Sequence, residues 1–339
     1  MLIKYMIDLG YDFSNVERIR NTYPVNRCGD DYLFFSIGEI LTVFLKFGYA
    51  KKQIIKMTTE RPQILCYGTD VIEEKLKYFK KLLGNTKTVI KVTLDFPTML
   101  SYDLASVDKK IEDLEKIGYE RDVIIKNIKR YPELLGLSIE DNIKKMIKDL
   151  CDLGFDSKDV LKITAKNMTI FGRDIKSIED IIEKLEDFGY SREDIIDMIK
   201  KHPSLLNYAV MRIEERVNDI VSLVPDYNDA LNVLKINPSL FGNDLGTIID
   251  KKVFYDSIGL FDIFVISPKD LMQGISKSYA RYRHFQTIGI DIFETEDGYK
   301  KLFLGEKKFG SRYKIKTDDL VKIYDVDEYM KDVKTRKLA

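Results

Sequence analysis

The sequence predicts an all-α fold, a superhelical solenoid, right- or left-handed, built from three-helix repeats. Three observations predict it. A glycine followed by a bulky residue recurs as Leu9-Gly10-Tyr11, Phe47-Gly48-Tyr49, Leu83-Gly84-Asn85, Ile117-Gly118-Tyr119, Leu153-Gly154-Phe155 and Phe188-Gly189-Tyr190, with Leu223-Val224-Pro225 in the next slot. A proline follows at a nearly fixed distance, as Pro24, Pro62, Pro97, Pro132, Pro203 and Pro238, with Met168 once in its place, and from position 62 onward the steps are 35, 35, 36, 35 and 35 residues. Between these marks the apolar residues keep helical spacing. A period of this size is the signature of a repeat architecture.

The elements follow in order within one repeat. Ile111, Leu114 and Ile117 lie on one face of a first helix that stops at Gly118, which suits a left-handed C-cap. A second helix, roughly Arg121 to Tyr131, carries Val123, Ile124, Ile125 and Ile128, and Pro132 disfavours helix in the residue before it. The proline then opens a short helical turn, Pro132-Glu133-Leu134-Leu135, because its missing N–H has no partner at that position anyway. Ser138…Asp141, Ser177…Asp180 and Ser191…Asp194 resemble capping boxes with Asp for Glu and predict helix starts at those serines. The stripes Ile143, Met146, Ile147, Leu150, Leu153 and Ile178, Ile181, Ile182, Leu185, Phe188 are expected to form core between neighbouring repeats.

Seven repeats of about 35 residues are thus expected over residues 1–250, an atypical C-terminal cap over 251–316 and a tail over 317–339, whose last residues, from Lys331, lack apolar periodicity and are expected to fray. No stretch approaches the roughly 18–20 consecutive apolar residues that a membrane helix needs. Asp8 and Asp12 already belong to the first repeat, so the N-terminus reads as neither a signal nor a transit peptide, and a cytoplasmic monomer is expected. Cys28 and Cys66 each follow a repeat proline by four residues. Helix spacing of about 8–10 Å would hold them beyond disulfide reach, and with Cys151 they read as three unpaired thiols of a reducing compartment.

The unit apolar-x-x-apolar-Gly-aromatic, Ile-rich helix, Pro-x-Leu-Leu resembles the repeat of the mitochondrial transcription termination factor (mTERF) family. Pro132-Glu133-Leu134-Leu135 and Pro203-Ser204-Leu205-Leu206 match its signature, and Pro62-Gln63-Ile64-Leu65, Pro97-Thr98-Met99-Leu100 and Pro238-Ser239-Leu240-Phe241 are close variants. Such families often close with a Ser-Leu-x-x-Arg-Ile-x-Pro-Arg-like helix and a Phe-x-x-x-Tyr element. Lys277, Ala280 and Arg281 stand where the first Arg, the Pro and the second Arg are expected, and Phe309-Gly310-Ser311-Arg312-Tyr313 follows. The resemblance implies a curved helical solenoid that contacts double-stranded DNA or structured RNA mainly through phosphates, without a cofactor, and that regulates transcription or RNA metabolism. Richness in Lys, Ile, Asp and Tyr with no Trp suggests an AT-rich genome and a bacterial or phage-type member without a transit peptide.

Charge sets the counterargument, because 55 basic and 55 acidic residues cancel, whereas nucleic-acid-binding domains carry a positive excess or a basic stripe. Two local patterns restore it. Residues 271–316 hold ten Lys or Arg against five Asp or Glu. The positions just before the repeat proline hold Arg61, Lys129 and Arg130, Lys166, Lys200 and Lys201, and Lys235, a ladder of cations stacked at about the helix-packing distance and expected to favour the C-terminal half. The same cations also complement helix C-termini, so both readings stand. Candidate phosphate contacts are therefore Lys129, Arg130, Lys200, Lys201 and Lys235 on the ladder, with Lys277, Arg281, Arg283 and Arg312 in the C-terminal segment. Tyr282 and Phe285 beside the last group are suited to base stacking or to core.

No catalytic or metal site is expected. His202 and His284 are isolated, and no Gly-rich phosphate loop, Gly-x-Ser-x-Gly elbow or His-Glu-x-x-His helix occurs. Two readings from different classes remain: a nucleic-acid-binding regulator, favoured by the resemblance, and a neutral protein-binding scaffold, favoured by the net charge.

Overall fold

The structure, a computed structural model, describes residues 1–338. Among these residues the regular elements are all helical, and no helix is long and apolar enough to cross a membrane. The chain divides into two compact units, Met1–Ile175 and Lys176–Ala339.

The first unit contains five repeats. Their first helices are Leu2–Asp8, Asp30–Phe47, Thr69–Leu83, Leu104–Ile117 and a π-helical turn, Ile139–Lys144, running into Lys145–Asp152. The second helices are Phe13–Asn21, Lys51–Glu60, Thr86–Asp95, Arg121–Ile128 and Ser157–Lys166. Short 3-10 turns, Val25–Arg27, Pro62–Cys66, Pro97–Ser101, Pro132–Gly136 and Met168–Gly172, close the repeats. The punctuation read from the sequence explains the boundaries. Gly118 has φ +118°, and its N–H reaches back to Leu114 and Glu115, a cap that a side chain would strain. Tyr131 is held at φ −142° and ψ 74° ahead of Pro132, outside the helical region. The second helix of this repeat ends at Ile128, three residues before the expected Tyr131, with Lys129 and Arg130 in a turn. Where Met168 replaces the proline, its backbone N–H is no longer absent, and the buried Asn127 side chain of the preceding repeat accepts it at 3.3 Å.

Like elements of successive repeats stack, and a buried polar contact ties them. The Tyr11 hydroxyl lies 2.7 Å from Thr58 Oγ1, Tyr49 2.6 Å from Thr93 and Tyr119 2.7 Å from Thr164. Each threonine donates its own proton to the carbonyl four residues earlier, so the tyrosine is the donor across the repeat boundary. The aromatic residue after the repeat glycine is thus a staple between one repeat and the second helix of the next. The core around these contacts is mostly apolar: Ile111, Leu114, Ile124, Ile128 and Leu134 are fully buried, each worth about 1.5–3 kcal/mol.

A second polar device, buried or part-buried, closes four of the turns. Lys75 donates to the carbonyls of Leu100 and Tyr102 at 2.7 and 2.6 Å, Lys110 donates to Leu137, and in the second unit Arg216 donates to Asn243 and Lys251 to Leu271. A cation on the first helix thereby satisfies the free carbonyls of its own repeat's turn. Burial pulls the Lys75 ammonium below the usual lysine range.

The second unit continues the pattern with Ile175–Asp187, Arg192–Lys201 and Pro203–Asn207, then Val210–Leu223, Tyr227–Ile236 and Pro238–Gly242. Ser138 and Ser191 cap their helices through the N–H groups of Asp141 and Asp194, as expected. Ser177 does not, because that first helix starts at Ile175 and encloses it. A further three-part unit spans residue 250: Leu245–Ser257, Gly259 at φ +86°, Ile263–Ile266 and Pro268–Met272. Helices Ile275–Thr287, Glu306–Tyr313, Thr317–Ile323 and Val326–Leu338, with a 3-10 segment Gly298–Phe303, complete the chain. The last helix covers most of the segment expected to fray, since Tyr329 stacks on Tyr279 at 4.7 Å, Met330 is buried and Lys334 pairs with Asp250 at 2.6 Å. Ala339 lies outside the described residues.

Candidate nucleic-acid interface

In the first unit, charge is sorted by helix row. The second helices of repeats two to five, with the residues that close them (51–61, 86–95, 121–130 and 157–166), carry thirteen Lys or Arg against four Asp or Glu. The first helices of the same repeats (30–47, 69–83, 104–117 and 139–152) carry eleven against fourteen. Zero net charge therefore conceals a basic stripe on one row. The Tyr–Thr staples fix the orientation of that row, because they hold its threonines inward and leave the opposite face to lysines.

A groove of about 610 Å³ lies within this row. Gln53 of the second repeat, Lys87, Ile90, Lys91, Leu94 and Asp95 of the third, and Lys129 and Arg130 of the fourth line it. The four cations are exposed, and none forms an ion pair among the described residues, although Asp95 shares the groove. Ile90 and Leu94 give it a partly apolar floor. Four unpaired cations around a shallow trough, with one carboxylate, provide fixed positive potential for phosphate oxygens without a bound partner to displace.

The structure thus brings two of the sequence-predicted residues, Lys129 and Arg130, into one site with Lys87 and Lys91, which the sequence reading passed over. The signal was available as charge counted by helix row rather than by stretch. The remaining candidates stand elsewhere. Lys200 lies 3.7 Å from Asp197, Lys235 2.6 Å from Asp194, and Lys201 donates to the Lys235 carbonyl at 3.2 Å. The hydrogen bond from Lys235 holds the Asp194 carboxyl below the usual range. The second helices of this unit (192–201, 227–236 and 263–266) carry four cations against four acids, so the unpaired ladder members Lys129 and Arg130 stand in the N-terminal unit, whereas the ladder was expected to favour the C-terminal half.

Arg281 requires the clearest correction, because its side chain is 0 % exposed. Its Nε and Nη2 donate to Thr317 at 2.9 and 2.8 Å, Nη1 to the carbonyls of Leu302 and Leu304 at 2.9 and 2.6 Å, Nη2 also to Glu306 at 3.1 Å, and the guanidinium stacks 4.2 Å above Phe309. It is the turn-closing cation of its segment, with its donors engaged internally, and no phosphate reaches it. Lys277 bridges Glu306 at 3.1 Å and Asp318 at 3.6 Å, and those partners raise its ammonium above the usual range. Burial opposes ionisation of Glu306, yet hydrogen bonds from Thr317 and Lys277 and the Arg281 charge outweigh it and hold the carboxyl below the usual range. Arg283 is exposed and donates to Gln286 at 3.1 Å, and Arg312 is exposed beside Tyr313. Phe285 is core, packed against Phe309 and Tyr313, while Tyr282 is half-buried. Among the described residues no three His, Cys, Asp or Glu side chains converge as metal ligands would.

Fold and site together define an all-α helical-repeat protein with one basic row. The mTERF family model matches residues 3–107 and 105–249, and the chain belongs to the mTERF family. No curated protein matches the chain in sequence.

Proposed function

We propose that the protein binds double-stranded nucleic acid, DNA or RNA, through phosphate contacts made by the second-helix row of its N-terminal unit, and acts in transcription or RNA metabolism by binding rather than by catalysis. The carrying observation is the groove in which Lys87, Lys91, Lys129 and Arg130 stand exposed without acidic partners. Family membership supports the same reading, and the sorted charge removes the objection raised by a net charge of zero. Phosphate contacts carry little sequence information, so the site as built supplies affinity and register.

The test is fluorescence anisotropy with a labelled DNA duplex and an RNA duplex across a salt series. Wild type should bind at about 50 mM salt and weaken steeply above it. Replacing Lys87, Lys91, Lys129 and Arg130 together by Gln should flatten the dependence of log K on log salt by about 3–4 units, with helicity retained. The matching triple replacement of Lys200, Lys201 and Lys235 should leave the slope within about one unit of wild type. Absence of binding to both duplexes at low salt would instead favour a protein-binding scaffold.

A further inference from the structure

Cys28 and Cys66 stand 3.7 Å apart, sulfur to sulfur, on the short turns of the first and second repeats. Sequence spacing placed them in equivalent positions and predicted separation by a full helix-packing distance. The structure brings them together because both lie at the end of 3-10 turns, which are narrower than α-helices and pack directly side by side. Both thiols are half-buried, so a small oxidant reaches them, while no other thiol is near: Cys151 lies in the fifth repeat. The two sulfurs sit at van der Waals contact, and a bond of about 2.05 Å requires side-chain rotation and a small approach of two surface turns.

We propose that Cys28 and Cys66 are a modification site, forming a reversible disulfide that staples the first repeat to the second when the protein meets a low-molecular-weight disulfide such as oxidised glutathione. The Cys28 thiolate attacks one sulfur of the oxidant, whose S–S bond breaks and releases one small thiol. The Cys66 thiolate then attacks the Cys28 sulfur, and the second small thiol leaves. Two protein thiols are oxidised, the small disulfide is reduced to two thiols, and the two protons lost by the cysteines end on those products. Burial, reinforced by Cys28 beside it, pushes the Cys66 thiol up to about 12, so closure by Cys66 accelerates with pH. The bond would close a loop between residues 38 apart in sequence, all within the first unit, and lies on the turn row rather than on the second-helix row. Its formation is therefore independent of the binding reading.

The experiment treats the full-length protein with oxidised glutathione, blocks remaining thiols with iodoacetamide and maps the peptides by mass. The expected result is one Cys28–Cys66 linked peptide, lighter by two hydrogens than the sum of its parts, with Cys151 alkylated, and complete reversal by dithiothreitol. Cys151→Ser should give the same peptide, and Cys28→Ser should leave Cys66 without an intramolecular link. Raising the pH from 7 to 9 should speed closure by more than tenfold. Separate glutathione adducts on Cys28 and Cys66, full alkylation of both, or a link through Cys151 would each overturn the assignment.

Discussion

The fourth repeat and the second unit treat the cation near the end of the second helix in opposite ways. In the first, Lys129 and Arg130 are exposed and unpaired beside Lys87 and Lys91. In the second, Lys235 is clamped to Asp194 at 2.6 Å, Lys200 faces Asp197 and Lys201 is spent on a backbone carbonyl. The same sequence position therefore has two meanings, and what separates them is the acid content of the neighbouring second helix. Asp194 and Asp197 lie within one turn of each other on the second helix before that of Lys235, whereas the second helix before Lys129 and Arg130, residues 86–95, holds one acid, Asp95. A cation is informative about a ligand only after its local partners have been counted.

Arg281 sharpens the comparison most, because in the second unit even the strongest cation by composition belongs to the core. Arg281→Ala would leave the Leu304 carbonyl without its donor and remove one of the two cations on Glu306, and should cost about 1–3 kcal/mol by chemical denaturation. Arg283→Ala, two residues away and exposed, should change stability by less than about 0.5 kcal/mol. If Arg281→Ala keeps wild-type stability and loses nucleic-acid affinity, the internal role assigned to it is wrong.

The local grammar of the fold was legible because it is written in single residues. Gly118 needs a positive φ, Pro132 ends one helix and opens a turn, and each does so whatever lies elsewhere in the chain. The staples were written too, though less plainly: Thr58, Thr93 and Thr164 each stand four residues before the repeat proline or its Met substitute, in register with Tyr11, Tyr49 and Tyr119 of the preceding repeats. Lys75, Lys110 and Arg216 likewise stand 22 residues before theirs. What the sequence did not disclose was pairing. Lys235 and Asp194 are 41 positions apart and meet only because second helices stack, and Arg281 meets Leu302, Leu304 and Thr317 only through the fold of the C-terminal segment. Charge near a proline could be read from sequence, but whether that charge was free could not.

Acid tests the paired side of the comparison. Glu306 titrates below the ordinary carboxylate value of 4.5 in the folded protein, so its contribution is present at neutral pH and is lost as pH falls through that depressed value. Glu306→Gln should therefore lower stability by about 1 kcal/mol or less at pH 7, since the carboxylate is half exposed, and variant and wild type should converge in thermal melts as pH falls through the depressed folded value. A difference that persists undiminished at pH 3 would assign the Glu306 effect to packing rather than charge.

The smallest effect divides the units most sharply. The Lys235–Asp194 pair is close but part-exposed on both sides, at 41 % and 27 %, so Lys235→Ala should cost no more than about 1 kcal/mol, part of it from the lost cation at a helix C-terminus. Because that ammonium is already committed to a carboxylate, its removal should leave the salt dependence of duplex binding unchanged. Lys129→Ala should do the reverse, leaving stability within about 0.5 kcal/mol and lowering the slope by about one unit, because an exposed cation without a partner has only the phosphate to lose. Parallel denaturation curves and salt titrations of the two variants measure both quantities. If Lys235→Ala lowers the slope while Lys129→Ala does not, the phosphate track runs through the C-terminal unit, and the pairing seen there yields to the ligand.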